Sequence, residues 1–215
     1  MMLKLVAFDL DGTIADTIPM CIEAFKYAVA PYTSKELSEN DVVQTFGVNE
    51  EGMIKQVVSE DWEKALIDFY KKYEQMHTMC PSPFSGMKEL ITELNDKSII
   101  VALITGKGQR SCDITLHHFG IESLFDAIYV GSPDKNTKAE SMVRLMSHYH
   151  IQSSEMMYIG DEFSDITACC EVGVRCLSAA WIATPSKIIQ LEKANQGYVF
   201  TTIESLRSFL ITKVG

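Results

Sequence analysis

Two carboxylates follow an apolar run close to the start of this sequence. In "FDLDGT", Asp9 and Asp11 are two residues apart and Gly12 comes directly after them. If the chain stays extended through both acids, their side chains point to the same side and form one site for nucleophilic or acid–base chemistry. Because Asp-Gly is also a common turn dipeptide, the pair taken alone fits a surface turn equally well.

A second group of acids follows another apolar run. The stretch "YIGDEFSDI" contains Asp161, Glu162 and Asp165. Carboxylate oxygens clustered at the end of a strand suit a hard divalent cation such as Mg²⁺. The same acids would also be favourable at the N-terminus of a helix, where they need no metal, and Asp165 fits that alternative. Asp161 is the stronger candidate for a metal ligand because it directly ends the apolar run.

A third polar group follows the run between these two. In "LITGKGQR", Thr105 offers a hydroxyl and Gly106 an exposed backbone N–H, just before a predicted helix over 109–119. Helix N-termini attract anions, so this arrangement indicates an anion-binding position. The glycines do not complete a nucleotide motif, since a dinucleotide fingerprint needs glycine at Ser111 and a P-loop needs a hydroxyl at Gly108.

Strand-like and helix-like segments alternate along most of the chain. Apolar, β-branched runs predict buried strands over 3–8, 99–105, 127–130, 156–160 and 174–179. Helical periodicity predicts helices over 86–96, 109–119, 138–149 and 164–172, and a helix, a short strand and a helix over 186–215. The alternation predicts an α/β fold: a doubly wound, Rossmann-like parallel sheet with ligands at the carboxyl ends of its strands. Asp9, Thr105 and Asp161 follow such ends, so we expect them to lie close together.

A long segment separates the first two predicted strands. It has far more residues than one crossover helix needs. Apolar residues recur at helical spacing from Ile18 to Val29 and from Trp62 to Tyr73, and "CPSPFSG" then provides a return linker. We therefore expect a helical cap over 17–80, inserted into a catalytic core made of 1–16 and 81–215.

Composition and charge limit the classes of partner. The 215 residues carry a net charge of -10, so no general positive field attracts nucleic acid or an anionic membrane. No apolar run reaches the ~20 residues that span a bilayer. Six cysteines without a CxxC pair, and no signal-peptide pattern, predict a reducing, cytoplasmic setting. An anionic substrate must therefore be attracted by local groups.

The cysteines and histidines receive no chemical role. Cys169 and Cys170 lie in an apolar helical stretch, and we expect both in the core. Four histidines lack zinc spacing with cysteine partners and are predicted to be ordinary helix and helix-end residues: His117, His118, His148 and His150.

The acidic motifs and their order are similar to those of a known family. DxDGT matches Asp9–Thr13, a strand-end threonine matches Thr105, and GDxxxD matches Gly160–Asp165. On these motifs the whole chain resembles the haloacid dehalogenase-like hydrolase superfamily, in its phosphoglycolate phosphatase-like branch. The family's lysine before a helix has two candidates, Lys135 and Lys138, and the Lys-Ala-Glu sequence favours Lys138.

The resemblance implies a role for each motif residue. Asp9 would attack phosphorus, and Asp11 would act as general acid and base. The implied substrate-binding residues are Gly12, Thr13, Thr105, Gly106, Lys107 and Lys138. The implied Mg²⁺ ligands are Asp9, the backbone carbonyl of Asp11 and Asp161, with Asp165 beside them orienting water or the lysine.

The expected activity is Mg²⁺-dependent hydrolysis of a small phosphomonoester, phosphoglycolate-like or a sugar phosphate, through an aspartyl phosphate. The expected partner is therefore a small phosphorylated metabolite. Pyrophosphate hydrolysis, a phosphomutase reaction and a catalytically inactive phosphate-binding module are the alternatives. Dehalogenation is disfavoured because a departing halide needs neither the second acid nor a metal. Nothing in the sequence predicts the oligomeric state.

Overall fold

One parallel sheet forms the centre of the computed structural model, which describes residues 2–214. Its strands are β1 (Leu5–Phe8), β2 (Ile100–Ile104), β3 (Ala127–Tyr129), β4 (Met156–Gly160), β5 (Arg175–Ala179) and β6 (Val199–Phe200). They lie in the order β3-β2-β1-β4-β5-β6, and every neighbouring pair is parallel. This confirms the predicted α/β fold with a doubly wound, Rossmann-like sheet.

Helices connect and cover the strands. They are α1 (Ile18–Val29), α2 (Glu39–Val43), α3 (Glu50–Val57), α4 (Trp62–Gln75), α5 (Met87–Asp96), α6 (Gln109–Phe119), α7 (Lys138–Tyr149), α8 (Phe163–Val172), α9 (Pro185–Ala194) and α10 (Ile203–Ile211). The predictions over 109–119 and 138–149 have the observed bounds, and the predicted helix, strand and helix near the C-terminus are α9, β6 and α10. Within residues 2–214, no helix is both long and apolar enough to cross a membrane.

The first strand is buried on both of its faces. Leu5 and Ala7 pack into the core under α7 and α8, whereas Val6 and Phe8 pack into the larger core on the opposite face. Successive side chains of a strand point to opposite faces, so an uninterrupted apolar run is what a central parallel strand requires. Each fully buried Leu, Val or Phe side chain contributes about 2 kcal/mol to stability.

The carboxyl ends of three neighbouring strands are level. Phe8 of β1 pairs in register with Leu103 of β2 and with Ile159 of β4. The chain therefore leaves β1, β2 and β4 at the same edge of the sheet, within a residue or two of one another. This register brings the residues after each strand together, as predicted for the three strand-end motifs.

The segment between β1 and β2 is helical. Before α5, it contains α1 to α4 and 3-10 turns over Ala30–Tyr32 and Met76–Met79, and α1 packs along α4. Its interior includes Phe69 and Tyr73 of α4, whose rings stack 5.5 Å apart. Helices α1 to α4 and both 3-10 turns lie within the predicted 17–80. That this part of the chain acts as a separate cap stays a prediction.

The helical stretch with two adjacent cysteines is buried on one side only. Cys169 lies in the core, but Cys170 is exposed, so the expectation that both are core residues was wrong. Neighbouring residues on a helix point about 100° apart, and α8 turns Cys170 away from the sheet.

A buried histidine lies where the helical segment returns to the sheet. His77 is 2% exposed, and its Nε2 lies 3.1 Å from the hydroxyl of Thr115 on α6. The hydroxyl of Tyr73 lies 2.9 Å from the same Thr115 hydroxyl oxygen. Within residues 2–214, His77 Nδ1 has no hydrogen-bond partner. Burial, assisted by the neighbouring His118, lowers the pKa of His77 to about 4.

The low pKa of His77 predicts a loss of stability in acid. As the pH falls from about 6.5 to 4, the unfolded chain binds a proton at this position that the native state does not, so the free energy of unfolding falls. We expect wild type to lose roughly 1–2 kcal/mol more than His77→Gln over this range. Urea unfolding at several pH values measures the difference. His117→Gln, at an exposed histidine of α6, is the control and should follow wild type; superimposable curves for all three chains would contradict the prediction.

Candidate active site

Asp9 is held by two hydrogen bonds at the carboxyl end of β1. Its Oδ1 accepts from the backbone N–H of Leu10 at 2.7 Å, and its Oδ2 accepts from Lys138 Nζ at 2.6 Å. The side chain is 5% exposed. The central strand and a buried ammonium group therefore fix the orientation of this carboxylate.

Lys138 bridges two buried carboxylates. It is the first residue of α7, and its ammonium also donates to Asp165 Oδ1 at 2.5 Å. Burial lowers the pKa of Lys138, but Asp165 and Asp9 outweigh this and raise it well above its usual value, so the lysine remains charged. Lys135, the other candidate for the motif lysine, is exposed and pairs with Glu140. Of these two lysines, only Lys138 contacts Asp9.

Three buried carboxylates form a cluster at this edge of the sheet. Ligand oxygens of Asp9, Asp161 and Asp165 lie within 4.8 Å of one another. Burial, partly offset by Lys138, raises the pKa of Asp9 to about 7. Burial, partly offset by Lys187 at 3.2 Å, raises the pKa of Asp161 to about 8. The cluster thus has fewer positive charges around it than ionised carboxylates require.

The donor atoms of this cluster fit a Mg²⁺ ion. They are carboxylate oxygens, which Mg²⁺ prefers, and a divalent cation would offset the missing positive charge. Gly12 leaves room beside them, because a Cβ built there would lie 2.6 Å from Asp161 Oδ2. Asp9 and Asp161 are the members best suited to bind the ion directly.

Asp165 has its oxygens committed to protein groups. Its Oδ1 accepts from Lys138 and, at 3.3 Å, from the hydroxyl of Tyr158, while its Oδ2 accepts from the N–H of Glu162 at 3.0 Å. It also completes a capping box at the start of α8 with Glu162. These contacts leave Asp165 less available than Asp9 or Asp161 for direct metal binding; its orienting role stays a prediction.

Asp11 reaches the site from a turn. Strand β1 ends at Phe8, so the extended geometry on which the first expectation depended is wrong. Gly12 has φ +71°, and Asp11 pairs with Ala15 in an isolated bridge that closes the turn. Asp11 Oδ1 lies 3.2 Å from Lys107 Nζ and accepts a hydrogen bond from the hydroxyl of Thr17.

The loop after β2 presents Thr105 and a buried lysine. The Thr105 hydroxyl accepts from the N–H of Lys107 at 3.2 Å. The Lys107 ammonium lies 4.4 Å from the ring centre of Tyr73, in addition to its contact with Asp11. Burial lowers the pKa of Lys107, but Asp11 and Tyr73 outweigh this and raise it well above its usual value. Lys107 therefore positions Asp11 and joins the core to α4.

A glutamate from α3 occupies the N-terminus of α6. Glu50 is 2% exposed, its Oε2 accepts from the N–H of Gly108 at 2.8 Å, and its Oε1 accepts from the hydroxyl of Ser111. The anion-binding position expected at the start of this helix is thus filled, at Gly108 and Ser111, by the protein's own carboxylate.

These groups surround a cavity of about 460 Å³. Seven of the expected site residues line it: Asp9, Asp11, Thr105, Gly106, Lys107, Lys138 and Asp161. The other three expected residues, Gly12, Thr13 and Asp165, do not line it. Thr13 is fully buried, and within residues 2–214 its hydroxyl has no hydrogen-bond partner.

Several residues at the site carried no motif in the sequence. They are Thr17, Glu50, Tyr158 and Lys187. Lys187 lies at the start of α9, and only the placement of β5 beside β4 brings it to Asp161. Tyr158 lies in β4, which the sequence predicted as a strand. The one signal available for it was its place on the inward-facing side of that strand, two residues before Gly160.

Gly12 gives a test of the cluster as a metal site. Gly12→Ala and Gly120→Ala both place a side chain at positive φ, +71° and +59°, and each should cost about 1 kcal/mol of stability. A Cβ at Gly120 has nothing within 4 Å, whereas one at Gly12 displaces the Asp161 carboxylate. We expect Gly12→Ala alone to weaken Mg²⁺ binding, by about tenfold or more. Calorimetric titration measures the affinities; equal affinities in the two variants would contradict the metal assignment.

Known proteins are similar to this chain along most of its length. A phosphoglycolate phosphatase of Synechococcus elongatus is 22% identical over 181 residues, covering 83% of this chain and 84% of that protein. The pyrophosphatase PpaX of Halalkalibacterium halodurans is 24% identical over 177 residues, covering 81% and 82%. A crystal structure of a predicted phosphoglycolate phosphatase from Haemophilus somnus superposes with a TM-score of 0.80 at 19% identity, covering 96% of this chain and 97% of that one.

The structural likeness supports the fold, and the family follows from the sequence. A family model described as haloacid dehalogenase-like hydrolase matches residues 6–179, which include every motif described above. Because this match spans well over half of the sequence, the chain belongs to the haloacid dehalogenase-like hydrolase family.

Proposed function

We propose that this chain is a Mg²⁺-dependent phosphatase that hydrolyses a small phosphomonoester through an aspartyl phosphate. The observation that carries the proposal is the buried Asp9 carboxylate, hydrogen-bonded to Lys138 at 2.6 Å beside two further acids. A phosphomonoester resists attack because it is doubly charged, so an aligned nucleophile must be combined with positive charge. Asp9 and Lys138 combine the two at the carboxyl end of the central strand.

Asp9 is the proposed nucleophile. One of its carboxylate oxygens forms a bond to phosphorus while the ester P–O bond breaks, which leaves an aspartyl phosphate and the alcohol oxygen. Mg²⁺, when bound, supplies charge that offsets the phosphoryl oxygens. Water then attacks phosphorus, releases phosphate and restores Asp9. The fixed orientation of Asp9 supports this role, since alignment lowers the barrier of such a displacement.

Asp11 is the proposed proton donor and acceptor. Thr17 and Lys107 both contact its Oδ1, and within residues 2–214 its Oδ2 has no protein partner. Oδ2 would give its proton to the departing alcohol oxygen and later accept one from the attacking water. Lys107 and Thr17 would thus hold Asp11 in place and have no direct contact with the phosphate.

Lys138 and Thr105 are proposed to hold the non-bridging oxygens of the phosphate. Both line the cavity beside Asp9. Asp165 would orient Lys138, and Tyr158 would orient Asp165 through its hydroxyl. The helical segment 17–80 is the proposed cap, because α1, α2 and α3 contribute residues to the opposite wall of the cavity.

Two reactions of other family members remain as alternatives. Pyrophosphate hydrolysis and a phosphomutase reaction both use a phosphorylated aspartate, and the names of the relatives include a pyrophosphatase. A binding module without turnover is a third alternative, against which the complete set of acids and lysine argues.

Phosphate release from a panel of small phosphomonoesters and pyrophosphate tests the proposal. We expect turnover with Mg²⁺, none with EDTA, and a loss of about a thousandfold or more in Asp9→Asn. Asp16→Asn, an exposed acid seven residues along the chain, is the matched control and should keep wild-type activity.

The two alternative reactions predict different results. Free phosphate from pyrophosphate alone would support a pyrophosphatase. Isomerisation of a sugar phosphate without free phosphate would support a mutase. Equal activity in Asp9→Asn and wild type would overturn the proposed nucleophile.

A further inference from the structure

The two sides of the cavity differ in chemistry. The sheet edge contributes the acids, the lysines and Thr105, whereas the facing wall comes from the segment between β1 and β2. That facing wall is mainly apolar, and its apolar members are Ile18, Cys21, Val43, Phe46, Val48 and Met53. Val43 and Phe46 are 45% and 39% exposed, so their apolar surface is available to a ligand. Contact with that surface would favour an apolar leaving group.

The polar groups on this facing wall are already used by the protein. Asn49 donates to the carbonyl of Gly131 at 3.3 Å and accepts from the N–H of Gly52 at 3.1 Å. Glu50 accepts from Gly108 and Ser111 at the start of α6. Glu50 can only accept hydrogen bonds, and the second amide N–H of Asn49 carries no charge, so neither side chain offsets a second anionic group.

The lysines that line the cavity are all paired within the protein, so the described residues leave no unpaired cation there for a second anionic group. Five carboxylates line it, against the three ammonium groups of Lys107, Lys135 and Lys138. Each of these lysines has a carboxylate partner. The dianionic phosphate would use the charge of Lys138 and of a bound Mg²⁺, which the acidic cluster needs as well. A carboxylate or second phosphate on the leaving group would face Glu50 without a compensating cation.

We propose, on the basis of the proposed function, that the substrates are phosphomonoesters of uncharged alcohols with an apolar part. The phosphate would lie against Asp9 and Lys138, and the apolar part against Val43 and Phe46. Glu50 would exclude leaving groups that carry a second negative charge, since unpaired like charges in a buried site repel strongly. Phosphoglycolate and pyrophosphate would therefore be poor substrates.

Lys135 is the cation that could reverse this preference. It lines the cavity, its side chain is 60% exposed, and its partner Glu140 is also exposed. A salt bridge at such exposure contributes little and is easily exchanged. The test therefore includes Lys135→Met.

A substrate pair that differs only in charge tests the exclusion of anions. Phosphoglycolate and its carboxamide have nearly the same shape, and kcat/KM for phosphate release with Mg²⁺ is measured for both. We expect wild type to prefer the carboxamide by about tenfold or more. Glu50→Gln should narrow this ratio several-fold. Glu51→Gln, on the same helix but outside the cavity, should not change it.

A second pair tests the apolar wall. We expect kcat/KM for benzyl phosphate to exceed that for methyl phosphate by about tenfold or more in wild type. Phe46→Ala should remove most of this gain, because it should lower kcat/KM for benzyl phosphate several-fold more than kcat/KM for methyl phosphate. Tyr27→Ala, an equally bulky and more exposed aromatic residue outside the cavity, should retain the gain.

The outcomes separate this inference from the proposed function. A wild-type preference for phosphoglycolate over its amide would overturn the inference and leave the phosphatase standing, and loss of that preference in Lys135→Met would assign it to Lys135. No phosphate release from any ester would overturn the phosphatase. In that case, the inference is decided by the calorimetric affinities of the wild-type chain for phosphoglycolate and its carboxamide. Tighter binding of the carboxamide supports the inference, and equal or weaker binding overturns it.

Discussion

The buried ion pairs of Lys138 are the constraint on which the site depends. Its ammonium lies between Asp9 and Asp165, and all three side chains are at least nine-tenths buried. Charges in such a position are tolerated when they are paired and hydrogen-bonded, and removal of one partner leaves the other exposed to the full desolvation cost. The central strand, α7 and α8 must therefore meet at one point. The doubly wound sheet satisfies this requirement, because β1 and β4 are neighbours in register.

Charge also explains how an acidic chain could attract an anion. The protein has a net charge of -10, and the cavity itself has more carboxylates than lysines. Attraction has to come from a few groups that are fixed and poorly hydrated, where electrostatic effects are larger than in water. The raised pKa values of Asp9 and Asp161 indicate that it is unfavourable to ionise these acids together in a buried site. A bound cation would relieve that cost.

The motifs and the sheet could be predicted from the sequence because they follow from local rules. Apolar runs predicted the strands, and the carboxyl-end rule brought Asp9, Thr105 and Asp161 together. Residues positioned by tertiary packing could not be predicted. Glu50 caps α6 only because the first residue of α3 lies beside the start of that helix, and the pairing of Asp11 with Lys107 depends on a turn that the strand pattern did not reveal. In both cases a polar side chain is partnered by a residue that no sequence period connects to it.

The position of β1 has a consequence for synthesis. Of the six strands described, β1 is made first although it lies inside the sheet, and both of its neighbours come later: β2 begins at Ile100 and β4 at Met156. Asp9 meets its lysine across 129 residues. Until that lysine is made, the apolar strand has no complete sheet to join, and non-local pairing of this kind is slow to form and prone to aggregation. The helices between β1 and β2, which pack on one another, are the part of the nascent chain that can bury apolar surface first.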